Sequence, residues 1–316
     1  MINYKKSRLA LAAGALTAGL VMAQPAAAFW TDWFGGGEVD NYTETQHPIV
    51  LVHGLSGFDE LFGFIEYFNG VPSALTDSGA EVLVVQVSAS NSTEVRGEQL
   101  LAQIEDYMAA TGASKVNLIG HSHGSPTARY VAGVAPDKVA SVASVGGVNW
   151  GTPVADAATG GELDGLGDWF FGLVDYSSGN NDLPQDTNAA VASLSTEGSI
   201  AFNQEFPGGV PSSYCADDGA SEHNGIRYYS WGGDAVQTNG WDPSDYLLAL
   251  TATMIDEPND GLVPACSMKL GEVISVEYEH NHLDQINQVL GLVGRNAADP
   301  VDLYRQQANR LQNAGL

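Results

Sequence analysis

Basic residues are scarce in this chain: 12 Lys and Arg against 38 Asp and Glu, for a formal net charge of −26 over 316 residues. A surface this acidic repels nucleic acid and anionic membranes and stays soluble, so nucleic acid is excluded as a partner. It also suggests a saline or ion-rich surrounding, where self-repulsion is screened. Long apolar runs are missing beyond the N-terminus, which leaves no transmembrane candidate there. Internal repeats are absent too. Cysteine is rarer still, with Cys215 and Cys266 alone.

The N-terminus itself reads as a signal peptide over residues 1–28. Lys5, Lys6 and Arg8 give a basic start, Leu9 to Met22 an apolar stretch, and Ala26-Ala27-Ala28 a small-residue cleavage site. The mature chain is expected to begin at Phe29, as one α/β domain over 29–316 secreted from the cell. In that setting a single cysteine pair reads as one disulfide, with two buried thiols as the alternative.

The most informative stretch is Val116-Asn117-Leu118-Ile119-Gly120-His121-Ser122-His123-Gly124. An apolar run enters Gly-x-Ser-x-Gly, and a helical pattern with Ala128, Tyr130, Val131 and Ala132 follows. Strand, tight turn and helix are the context in which this motif exposes a nucleophilic serine. Gly120 and Gly124 suit a turn too sharp for side chains, and the helix N-terminus favours negative charge developing beside Ser122. Around the motif, strands are expected at 47–52, 82–87, 139–145, 226–231 and 272–278. Helices are expected at 71–75, 94–110, 188–204, 242–254 and 300–311. This alternation argues for a mostly parallel sheet covered on both faces. His53-Gly54-Leu55 closes the first strand, where an α/β hydrolase places one oxyanion donor; that donor is the Leu55 amide, and the His123 amide is the second.

A serine nucleophile needs a base, and the base an orienting acid. In the chain order Ser, acid, His, the downstream histidines are His223, His280 and His282, and Asp256, Glu257 and Asp260 lie in a loop before the last two. Spacing does not choose between His280 and His282. His47, His53, His121 and His123 fit that order poorly and are expected to bond backbone in loops. Residues 150–182 break the α/β rhythm, with Leu163, Leu166, Trp169, Phe170, Phe171, Leu173 and Val174 among Gly, Asp and Asn. They read either as a core helix or as a helical lid over the serine.

From about His47 to the C-terminus the sequence resembles the secreted family I bacterial triacylglycerol lipases of the Pseudomonas–Burkholderia type, within the α/β hydrolases. The resemblance is carried by Val-Arg-Gly-Glu-Gln-Leu-Leu at 95–101, Lys-Val-Asn-Leu-Ile-Gly-His-Ser-His-Gly at 115–124, Tyr-Tyr-Ser-Trp at 228–231, Asp-Pro-Ser-Asp at 242–245, Asn-Asp-Gly-Leu-Val at 259–263 and Asn-His-Leu-Asp-Gln-Ile-Asn-Gln-Val at 281–289. It implies Ser122 as nucleophile, Asp260 as acid, His282 as base, and the Leu55 and His123 amides as the oxyanion hole. It also implies a Cys215–Cys266 disulfide and one structural Ca2+ held by the carboxylates of Asp242 and Asp284 and the carbonyls of Gln288 and Leu292. The sequence departs from the family pattern at Ser56, at Ser125 after the elbow, and at Asn149-Trp150-Gly151.

The expected fold is therefore an α/β hydrolase with a helical lid, and the expected activity is hydrolysis of triacylglycerols and other carboxylic esters through an acyl-enzyme, with no organic cofactor. Aliphatic polyesters or short-chain esters are the alternative substrates, and a lipid-binding protein on a hydrolase scaffold is the non-enzymatic alternative. The expected partners are an ester substrate at an oil–water interface and, by resemblance, a dedicated folding chaperone. The protein itself is expected to be a monomer.

Overall fold

The computed structural model describes residues 40–55, 60–61, 65–159 and 183–316. The expected signal peptide, Ser56 and the apolar lid residues 163–174 lie outside them.

The sheet forms around Ile49–Val52, Val116–His121 and Val139–Val145, whose residues are buried on both faces. β1 (Ile49–Val52), β4 (Val82–Val85), β5 (Val116–His121), β6 (Val139–Val145), β8 (Ile226–Gly233) and β9 (Glu272–Tyr278) are rich in β-branched residues, which suit a pleated, enclosed surface. Their order is β4-β1-β5-β6-β8, with β9 and the short β7 (Glu222–His223) both paired to β8. Every pairing among the long strands is parallel. β7 alone runs antiparallel, folded back through Asn224-Gly225, both at positive φ as a two-residue hairpin turn requires. A separate two-stranded ribbon joins β2 (Glu60–Leu61) to β3 (Ile65–Glu66).

Alternate residues of each strand face opposite layers. Ile49 and Leu51 meet Leu75, Tyr304 and Leu311 on one side, while Val50 and Val52 meet Leu100, Ile104 and Val131 on the other. The first layer contains α1 (Val71–Thr76) and α9 (Pro300–Asn313). The second contains α2 (Thr93–Thr111) and α3 (Gly124–Val134). Ser92 caps α2 by accepting from the Val95 amide, and Gly112 ends it in the left-handed conformation. Residues 40–316 form one compact unit.

Two expected boundaries are corrected. The single helix read over 188–204 is two, α5 (Thr187–Leu194) and α6 (Thr196–Glu205). Ser195 separates them: it ends α5 in an extended conformation, and its hydroxyl caps α6 by accepting from the Gly198 amide at 3.0 Å. The stretch from 150 also begins as packed structure, because Pro153–Thr159 forms α4, whose Ala155 joins Val148, Val191 and Leu194 in a third apolar cluster. Among the described residues two further α-helices are α7 (Ser244–Ala252) and α8 (Ala265–Met268).

Candidate active site

Ser122 sits between β5 and α3 at φ 55°, a left-handed conformation that costs a non-glycine residue of order 1–3 kcal/mol. The turn holds because the Ser122 amide donates to Val145 O at 2.9 Å and the Ser122 carbonyl accepts from the Ser125 amide at 3.0 Å. The flanking glycines are steric requirements. A Cβ on Gly120 would lie 2.2 Å from Gly124 O, and one on Gly124 would lie 2.2 Å from Val52 O. His123 is the N-cap of α3, so its amide has no intrahelical acceptor and faces the same end as Ser122.

The expected acid and base meet on two loops at the carboxyl ends of the strands. His282 Nδ1 and Asp260 Oδ2 are 2.7 Å apart, both buried. The backbone repeats the link, since the His282 amide donates to Asp260 O at 2.8 Å. Asp260 Oδ1 accepts from the amides of Leu262 and Val263, and Oδ2 also accepts from Gln285 Nε2 at 2.8 Å. A carboxylate with four donors is fixed in place. The paired Nδ1 turns the other ring nitrogen of His282 away from Asp260 as the proton acceptor. Of the two histidines that spacing leaves open, His282 bonds Asp260, whereas His280 Nε2 bonds Ala298 O at 2.7 Å and does not join Asp260. His282 and His121 rings pack at 4.6 Å, which sets the base loop against the elbow.

A buried cation frames the other side. Arg96 extends from α2 and reaches no carboxylate among its hydrogen-bond partners. It donates to the carbonyls of Ser88 and His53 at 2.5 Å each, to Gly54 O at 3.3 Å and to Thr127 Oγ1 at 3.3 Å. It thus ties the loop holding Leu55 to the loop after β4 and to α3. Burial lowers its pKa to about 9. The histidines around it are neutral for the same reason. His53 is pushed down to about 3 by burial and by Arg96, and His123 also falls well below its ordinary value. Their bonds fit neutral rings: the Val87 amide donates to His53 Nε2, and His123 Nε2 pairs with Thr93 Oγ1.

The unusual Ser125 and Asn149 meet each other. Ser125 Oγ bonds Ser144 Oγ at 2.7 Å and Asn149 Oδ1 at 3.0 Å, in a buried network that Arg129 joins. They lie behind the elbow and act on packing.

Arg96, Tyr67 and Gln285 have no role in the sequence reading. Arg96 was findable. It shares one helical face with Leu100 and Ile104 at four-residue spacing, so a charged side chain is carried into the core. Gln285 follows His282 by three residues, but nothing in the sequence says that a 3-10 turn at 284–286 aims it at Asp260.

The expected cation ligands come together in part. Asp242 and Asp284 are fully buried and close enough for their charges to interact. Asp242 Oδ2 and Asp284 Oδ1 have no protein partner. Burial, with Asp245 and Asp242 nearby, pushes the Asp284 carboxyl up to about 7. Gln288 turns its side-chain amide to the carbonyls of Glu66 and Tyr67. Leu292 is half-buried, with its amide on Val289 O. Among the described residues no cluster of three or more His, Cys, Asp or Glu is arranged as a metal site, so the carboxylate pair depends on carbonyls to complete any shell. The Cys215–Cys266 disulfide is formed, with Cα atoms 4.5 Å apart.

Comparison with known proteins points the same way. A family model for the α/β hydrolase fold matches residues 47–200. A triacylglycerol lipase of Vibrio cholerae is 56% identical over 284 residues, covering 87% of this chain and 90% of the relative. A triacylglycerol lipase of Burkholderia plantarii is 40% identical, covering 95% and 93%. Among solved structures, the mature form of a Bacillus licheniformis lipase superimposes with a TM-score of 0.58 at 20% identity, over 76% of this chain and 86% of that one, which speaks to fold alone.

Proposed function

Because the chain belongs to the triacylglycerol lipase family of α/β hydrolases, we propose that it hydrolyses triacylglycerols and related carboxylic esters with Ser122, His282 and Asp260 as its catalytic triad. The observation that carries this reading is the buried 2.7 Å pair of His282 and Asp260 set against a serine held at positive φ.

In the proposed mechanism Ser122 Oγ attacks the ester carbonyl carbon while His282 Nε2 takes its proton. The carbonyl oxygen becomes an oxyanion, held by the amides of Leu55 and His123. The C–O bond to the alcohol breaks as His282 returns the proton to it, which leaves an acyl-Ser122. Water, deprotonated by the same nitrogen, attacks that ester and releases the acid. Asp260 orients the ring and offsets the positive charge it carries between steps. Each oxyanion donor is worth roughly 3 kcal/mol of transition-state stabilisation.

Calcium fits the Asp242–Asp284 pair. It is a hard cation that takes carboxylate and carbonyl oxygens, and two buried carboxylate oxygens here lack any donor. Asp242 and Asp284, with the carbonyls of Gln288 and Leu292, would hold it. Bound there, it would supply a positive charge bracing the loop that follows His282. Adsorption at an oil–water interface is supported by α7 and the turn before it, which leave Trp241 87% exposed, with Tyr246 and Leu250 also outward. Export through the 1–28 leader agrees with the disulfide. Folding with a dedicated chaperone and action as a monomer complete the proposal.

The test compares initial rates across p-nitrophenyl and glyceryl esters of increasing chain length, dissolved and emulsified, for wild type and Ser122→Ala. Wild type should hydrolyse emulsified triacylglycerol, with Ser122→Ala folded and down by about 10⁶-fold. Activity surviving in Ser122→Ala sinks the triad. A preference for aliphatic polyester over triacylglycerol moves the substrate to the alternative.

A further inference from the structure

One buried chain of groups belongs to none of the proposed chemical steps. Gly54 N–H donates to Tyr67 Oη at 2.9 Å. Tyr67 Oη and His121 Nδ1 are 2.7 Å apart. His121 Nε2 lies 3.0 Å from the carbonyl oxygen of His282. The direction of each bond follows from chemistry. A carbonyl only accepts, so His121 Nε2 carries a proton. His121 is fully enclosed, beside His282 and with no carboxylate on it, and burial drives its pKa far down, so the ring is neutral. A neutral ring protonated on Nε2 accepts at Nδ1. Tyr67 therefore donates to His121 while accepting from Gly54. The relay reads Gly54 N–H to Tyr67 O–H to His121 Nδ1, then His121 Nε2–H to His282 C=O.

Its two ends are the two halves of the site. Gly54 precedes Leu55, the proposed oxyanion donor, and His282 is the proposed base. The middle residue, His121, is covalently joined to Ser122. We propose that Tyr67 and His121 are positioning residues that hold the oxyanion loop and the base loop in register with the nucleophile through this relay. The proposal rests on the assignment of Leu55 and His282 made above.

Packing makes the register tight. A Cβ on Gly54 would stand 2.7 Å from both Ser122 Cβ and Tyr67 Oη, so that loop is pressed between nucleophile and phenol. Tyr67 is itself fixed from outside, through ring contacts with Phe68, His53 and His121 and through the Gln288 side chain on its carbonyl. Buried polar chains of this kind act as a unit, because cutting one link leaves a desolvated donor or acceptor at each side of the cut.

The experiment measures kcat and KM on dissolved p-nitrophenyl butyrate, with active sites counted by a phosphonate that labels Ser122. The variants are Tyr67→Phe, His121→Gln, the double variant and His282→Ala. Gln reaches the Nε2 position and keeps a donor for His282 O, but offers nothing at Nδ1, so it cuts the same link as Tyr67→Phe from the other side. Each single variant should lose kcat by roughly 10- to 100-fold with KM within threefold, less than the roughly 100- to 1,000-fold for deleting an oxyanion donor outright. The double variant should be no slower than the poorer single, since one link is cut twice. A folded Tyr67→Phe with kcat within twofold of wild type overturns the relay, and so do single losses that multiply in the double. Full activity in His282→Ala would instead sink the underlying assignment. Should the variants fail to fold, 15N spectra of wild-type imidazoles decide: His121 must stay neutral and Nε2-protonated from pH 8 to 5, and an Nδ1-protonated or charged ring overturns the proposal.

Discussion

The two sides of the site are built from opposite charge. Around Ser122 the buried groups are a cation and neutral rings. Arg96 is spread over backbone carbonyls, with His53, His121 and His123 held uncharged. Around His282 they are carboxylates: Asp260, Asp242, Asp245 and Asp284. On the nucleophile side Arg96 is met by backbone carbonyls and Thr127 Oγ1, because an arginine fork matches several acceptors at once, and His123 Nδ1 is left without a partner. The base side is closed at Asp260, which has four donors, and at Asp245, which accepts from Thr238, Asn239 and Asn281. It is open at Asp242 and Asp284, where one oxygen each has no donor. A chain with few basic residues satisfies a buried cation with carbonyls more readily than it satisfies buried carboxylates with cations. The contrast teaches that a buried cation is met by carbonyls on the first side, while on the second two buried carboxyl groups each keep one oxygen without a donor.

The largest effect should separate two histidines on the base side. His282→Ala and Asp260→Ala should each lower kcat by more than roughly 10⁴-fold, while His280→Ala, whose ring bonds Ala298 O, should leave kcat within a few-fold. Steady-state rates on one soluble ester check this, and the reverse ranking would reassign the base.

Acid should next expose the nucleophile side. His53, His121 and His123 have folded-state pKa values below 6.5, so the unfolded chain binds more protons as pH falls. Their contribution is whole above about pH 6.5. It is lost on acidification by up to about 1.4 kcal/mol per histidine per pH unit, continuing to about pH 3 for His53. Urea unfolding at pH 7, 6 and 5, in excess calcium so that the carboxylate side is held constant, should show falling midpoints. A midpoint that is flat from pH 7 to 5 would mean these rings are charged in the folded protein.

Chelation should act on the base side with a smaller effect. If calcium binds the Asp242–Asp284 pair, a free ion at a hundredfold its dissociation constant stabilises by about 2.7 kcal/mol. Thermal melts with chelator and with calcium at equal ionic strength should differ in wild type and coincide in Asp242→Asn. Magnesium should restore little, since it demands a tighter octahedral shell. Identical wild-type melts, with metal analysis confirming removal, would leave the carboxylate pair unexplained by an ion.

Much of this was readable in advance. The strand–elbow–helix around Ser122, the alternation of β and α elements, and the helix at 300–311 follow from local spacing and turn chemistry. So does the broad reading as a hydrolase. The split at Ser195 was missed because a serine inside an apolar period looks like a tolerated helix residue until its hydroxyl is seen capping the next helix. Tyr67 was unreadable because its partners are 13 and 54 residues away, and neither distance leaves a period in the sequence.

By itself, the sequence determined what neighbours along the chain can decide: where strands run, where Gly120 and Gly124 force a turn, which residue types are available for acid, base and nucleophile. Only the tertiary structure decided which of them meet. It paired His282 with Asp260 and sent His280 to Ala298; it buried Arg96 among carbonyls, and it left one oxygen each of Asp242 and Asp284 without a donor. The reason is physical. Propensity and periodicity act over a turn or a strand, whereas charge, burial and hydrogen-bond satisfaction depend on what the fold brings within a few ångströms.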